Sequence, residues 1–115
     1  MSIVEMIQRI KQEYRDFSVG CMKDLCDYAG VTYRDYEQAE YLIKDMNNAG
    51  YNIIVKKYRR PGECVGQFLY LTDYETGEYV KGFHVWVDFK DNYTVQFSPT
   101  DFETILEYTT EGPLN

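Results

Sequence analysis

A chain of 115 residues has room for one domain and one modest core. Its longest apolar runs are a few residues, too short for a helix that spans a bilayer, and charges every few positions in Met1–Glu13 exclude a signal peptide. Three cysteines, Cys21, Cys26 and Cys64, at irregular spacing argue against a disulfide scaffold and for a reducing, cytoplasmic compartment.

Three helices are expected first. Ser2 and Glu5 form a capping box, after which Ile3, Met6, Ile7, Ile10 and Tyr14 recur at helical spacing. A second helix is expected from about Ser18, with Met22, Leu25, Cys26 and Ala29 inward and Gly30 as its stop. Thr32 and Asp35 form another capping box. The third helix then turns Tyr36, Ala39, Leu42, Ile43 and Met46 inward and stops at Gly50.

Period two follows. Tyr51, Ile53 and Val55 alternate in a first strand, and Arg60–Glu63 fits a type II turn with Gly62 at the positive-φ position. The second strand, Gly66–Thr72, is apolar on both faces and therefore central. The third, Tyr79–Lys90, puts Phe83, Val85, Val87 and Phe89 on one face and His84, Trp86, Asp88 and Lys90 on the other, with Gly82 as a kink or bulge. Asp91–Asn92 turns into a fourth strand bearing Tyr93, Val95 and Phe97. Ser98 is then read as an N-cap, with Pro99 at the first position of a last helix that faces Phe102, Ile105 and Leu106 to the sheet. The fold class is α+β: three N-terminal helices, a four-stranded antiparallel meander and one C-terminal helix, in a single domain 1–115 with a tail at 111–115.

Residues 19–58 resemble the winged helix-turn-helix of the biotin-repressor type. The likeness rests on Lys23–Thr32, with its glycine turn and a Val-Thr opening, and on Ala39–Ile53, where a helix ends in a Gly-Tyr step toward the wing. It implies a winged-helix part over 1–72 and an acidic strand–strand–helix extension over 73–110. It also implies DNA binding, with Arg34, Gln38 and Tyr41 toward base edges and Lys56, Lys57, Arg59 and Arg60 on phosphates, working as a homodimer. The helix that would enter the groove also carries Asp35, Glu37, Glu40 and Asp45, carboxylates that phosphates repel.

Charge points to a different partner. Residues 1–60 hold 10 cations and 9 carboxylates, whereas residues 61–115 hold 2 and 10. Glu103, Glu107 and Glu111 recur every four residues, against both i,i+4 repulsion and the macrodipole, as a surface kept acidic for a partner would; a solvated terminal helix is the plainer alternative. Small, acidic, tyrosine-rich chains are similar in style to phage anti-defence proteins such as anti-CRISPRs. The sequence thus suggests a non-catalytic inhibitor or regulator of a basic, nucleic-acid-handling protein. It would bind through Asp88, Asp91, Asp101, Glu103 and Glu107, with Trp86 and Tyr108 as anchors. The winged-helix DNA regulator is the alternative. His84, Trp86 and Tyr70 read either as an exposed aromatic patch or as core under the N-terminal helices. A Cys64–His84 dyad lacks any nucleophile-elbow context, and Cys21 and Cys26 are spaced too far around a helix to share a metal, so no cofactor, metal or membrane partner is expected.

Overall fold

The computed structural model describes residues 2–34 and 38–110. It is α+β: helix α1 (Ile3–Ala29), helix α2 (Ala39–Asn48), strands β1 (Tyr51–Arg60), β2 (Cys64–Asp73), β3 (Tyr79–Asp88) and β4 (Thr94–Thr100), and helix α3 (Phe102–Thr110). The four strands form one antiparallel sheet in the order β1-β2-β3-β4.

The expected three-helix start is not what forms. One helix of 27 residues replaces the first two, running without a break through Phe17 and Ser18. The reason lies in a stripe that never changes phase: Ile3, Ile7, Ile10, Tyr14, Phe17, Cys21, Leu25 and Tyr28 follow at steps of three or four. Ser18 is not a cap. It is buried mid-helix, and its hydroxyl accepts a 2.8 Å hydrogen bond from Gln67 Nε2 on β2. The helix opens where expected, with the Glu5 amide donating to Ser2 Oγ. The Glu5 carboxylate accepts from the Ser2 hydroxyl, so the capping box is closed by side chains on its return leg. It ends at Gly30, whose φ of 74° allows the amides of Gly30 and Val31 to reach the carbonyls of Asp27 and Cys26. The next helix is described only from Ala39, with no side-chain cap at Gln38, and Tyr33 and Arg34 lie outside it. The expected box at Thr32–Asp35 and the inward Tyr36 involve residues outside those described.

The sheet separates two layers. Side chains at odd positions of β2 (Leu69, Leu71) and β3 (Phe83, Val85) face α1 and α2, forming a core with Met22, Leu25, Leu42 and Met46. Even positions (Phe68, Tyr70) face α3 and pack with Tyr58, Cys64 and Ile105. Apolar residues on both faces of β2 therefore follow from its central place. The tight turn after β1 closes as its residues suggest: Gly62 has φ 75° and the Glu63 amide donates to the Arg60 carbonyl.

The start of the last helix also differs from expectation. Ser98 and Pro99 belong to β4, where Pro99 pairs with Phe83. A proline fits there because β4 is an edge strand, with one side of its backbone free of ladder bonds. Asp101 caps α3 instead, its carboxylate accepting from the Thr104 amide at 2.8 Å. No described helix is long and apolar enough to cross a membrane.

Candidate functional site

Three places concentrate chemistry: an aromatic cluster around His84, the outer face of α3, and a cationic groove beside α1.

The cluster is built by strand alternation. Tyr58, Cys64, Phe68, His84 and Trp86 all project to the α3 side. His84 stacks between Phe68 and Trp86, with ring centroids 4.3 and 4.1 Å away, and Tyr108 from α3 meets it edge-on. Tyr58 Oη lies 2.6 Å from His84 Nε2 and 3.7 Å from Cys64 Sγ, so one hydroxyl serves both neighbours. Two glycines make room. A Cβ on Gly66 would stand 2.8 Å from the Tyr58 hydroxyl and 2.7 Å from Trp86 Cβ, and one on Gly82 would collide with Tyr70 Cβ. Burial, with Arg60 nearby, holds the His84 imidazole down at about 4, so it is neutral near pH 7. Burial also pushes the Tyr58 hydroxyl up.

Tyr58, Cys64, Phe68 and His84 are core under α3, with Trp86 and Tyr108 partly buried at its edge. His84 and Tyr70 are 4 and 3% exposed, which corrects the exposed-patch reading and also places α3, not the N-terminal helices, above them. Cys21 and Cys26 pack on the opposite side of the sheet from Cys64 and His84, so the three cysteines and the histidine do not converge on one point. Burial raises Cys26 and pushes the Cys21 thiol up to about 12, keeping both protonated.

The residues expected to bind a basic partner divide into two groups. Several have structural work. Asp88 holds the β3–β4 turn by accepting from the amides of Lys90 and Asp91, and Asp101 caps α3. Trp86 stacks on His84, and Tyr108 packs inward with the Arg60 guanidinium 3.9 Å above its ring. Glu107 lies 3.9 Å from Arg60. Asp91 is exposed at the β3–β4 turn, where Asn92 and Tyr93 take φ of 54° and 56° and the Thr94 amide closes back on the Asp91 carbonyl. Glu103 is exposed on α3 with no ion pair among the described residues. The outer face of α3 also shows Phe102 and Leu106, 41 and 38% exposed, beside Glu103 and Glu107. Glu111 lies outside the described residues. Phe102 also packs on the Tyr79 ring of β3, with centroids 6.0 Å apart, so the pair expected to face the sheet does so only in part and is otherwise open to solvent.

The residues expected to meet DNA are scattered. Arg34 forms a 3.1 Å ion pair with Asp45 and lies over the exposed Tyr41 ring; Gln38 sits at the start of α2. The Lys56–Arg60 cations are not on a loop. They lie within β1, so Lys56 and Arg60 project to the α3 side while Lys57 and Arg59 project to the α1 side. Asp35 and Glu37 lie outside the described residues.

Lys57 and Arg59 instead line a groove of about 700 Å³ together with Lys11 and Arg15 of α1, over walls that include Ile10, Tyr14, Val65 and Val87. Sequence reasoning misses Lys11 and Arg15. Their signal is i,i+4 spacing on the expected first helix; what the sequence does not show is that this stretch of helix lies opposite Lys57 and Arg59 of β1.

Comparison with protein-family models, with curated proteins and with solved structures finds no match.

Proposed function

We propose that this protein acts by binding, as a non-catalytic regulator or inhibitor of a basic partner protein that itself handles nucleic acid. The observation that carries this reading is the outer face of α3, where Phe102 and Leu106 are exposed alongside Glu103 and Glu107. An apolar pair rimmed by carboxylates is the composition of a protein-binding patch, with contact area at its centre and charge at its edge. Ten of the chain's carboxylates lie after residue 60, so the field around this face steers cationic surfaces toward it.

The test compares proteins retained by the wild type with those retained by a Glu103→Lys, Glu107→Gln double variant. The expected result is a basic protein held by the wild type, lost from the variant and released by moderate salt. Retention of the same proteins by both would sink the reading. Binding of mixed duplex DNA that weakens steeply with salt would replace it with direct phosphate contact.

A further inference from the structure

The groove beside α1 has a composition that the α3 face does not explain. Four of the chain's 12 cations surround it, in a chain of net charge −7. No ion pair among the described residues engages Lys11, Arg15, Lys57 or Arg59. Like charges one helical turn apart, as Lys11 and Arg15 are, destabilise a helix, and Lys57 and Arg59 add two more charges to the facing rim. Lysines on an edge strand deter sheet-to-sheet pairing, which accounts for cations on β1 but not for those on α1.

Between the groove and α2 lies a second hollow of about 360 Å³. Its walls are Met22, Leu42, Ile43, Ile53 and Val55, and Lys57 lines both cavities. Val55 and Ile43 are each more than two-fifths exposed there. A cationic trough thus adjoins an apolar one.

We propose that this double groove docks an acidic segment of a partner protein, a short stretch carrying carboxylates and a large apolar side chain. The carboxylates lie over Lys11, Arg15, Lys57 and Arg59, and the apolar side chain enters the hollow between α2 and β1. Charge complementarity selects an anionic occupant. The adjoining apolar hollow selects a peptide over a nucleic-acid strand, whose phosphates would satisfy the cations and leave the hollow unused. The site lies on the opposite face of the sheet from α3 and takes a partner of the opposite charge, so it is independent of binding at the α3 face.

The experiment is selection of displayed random short peptides against the intact protein, with a Lys57→Glu, Arg59→Glu variant as counter-target. Thermal melts check that the variant folds. The expected peptides are rich in Asp and Glu with Leu, Phe or Trp, bind the wild type, and lose roughly tenfold or more in affinity against the variant. On the wild-type background the charge-neutral Val55→Ser should weaken the same peptides while leaving any binding of oligo(dT) unchanged. Enrichment of peptides without acidic bias, equal binding to the variant, or oligo(dT) binding tighter than any selected peptide would overturn the proposal. So would wild-type self-association that the charge reversal abolishes, since a second copy would then be the occupant.

Discussion

At the scale of single residues, His84 carries the clearest consequence. Its imidazole titrates near 6.5 when unfolded and near 4 when folded, because burial disfavours the cation. Between those values the unfolded chain binds more protons than the native one, so stability rises with pH across that window. It is fully present above about 6.5 and is lost as pH falls toward 4. Denaturant unfolding from pH 7 to pH 4 should show this loss, at most about 3 kcal/mol, since each tenfold difference in proton affinity is worth roughly 1.4 kcal/mol. His84→Gln should flatten the slope, and because the chain has one histidine the assignment is direct. An unchanged slope in the variant would move the effect to the carboxylates. Gly66 supports the same cluster. A methyl there would meet the Val85 backbone carbonyl at 2.6 Å as well as the Trp86 and Tyr58 side chains, and that carbonyl is held in the sheet. Gly66→Ala should therefore cost about 1–3 kcal/mol in denaturant unfolding, through overpacking. The alternation of His84 and Trp86 with Phe83 and Val85 was legible in the sequence. What covers each face was not, because two helical layers compete for two apolar faces and local pattern does not rank them.

At the scale of elements, the instructive case is α1. Ser18 has the chemistry of an N-cap, and that local signal suggests two helices where one forms. Its hydroxyl is used instead across the core by Gln67, a partner 49 residues away. A test of continuity is Gly20→Ala. Gly20 is exposed within α1 and a Cβ there meets nothing within 4 Å. In an uninterrupted helix the change should stabilise by about 0.5–1 kcal/mol, read as a higher denaturant midpoint. No gain would mean that the backbone near Gly20 is not helical in solution. The last helix shows the same competition in reverse. Ser98-Pro99 is a strong helix-opening signal by itself, but β4 takes both residues into the sheet edge, and the Asp101 carboxylate caps three residues later.

At the scale of the whole molecule, α1 of 27 residues is about 40 Å long, comparable with the 45 Å long axis of the fold. Its first turns leave Ile3, Val4 and Ile7 exposed, and the groove opens along its N-terminal half. The central sheet insulates one core from the other. Leu25, under α1, and Ile105, under α3, are both fully buried but belong to different clusters. Leu25→Ala should cost about 2–5 kcal/mol and Ile105→Val about 0.5–1.5 kcal/mol. The double variant should lose their sum within about 0.5 kcal/mol. A larger coupling in denaturant unfolding would mean that the layers share a packing network through the sheet.

The sequence alone determined what short-range physics sets: strand alternation, the Gly62 turn, the glycine stop at Gly30, the central place of β2, and the excess of carboxylates after residue 60. Each depends on neighbours a few residues apart or on composition. Only the tertiary structure decided that two helical patterns are one helix and that α3 roofs His84. It alone split the Lys56–Arg60 cations between faces and brought two of them opposite Lys11 and Arg15. Those outcomes depend on which surfaces meet across the sheet. The free energy of burying one face against another outweighs the roughly 1 kcal/mol that a local cap contributes.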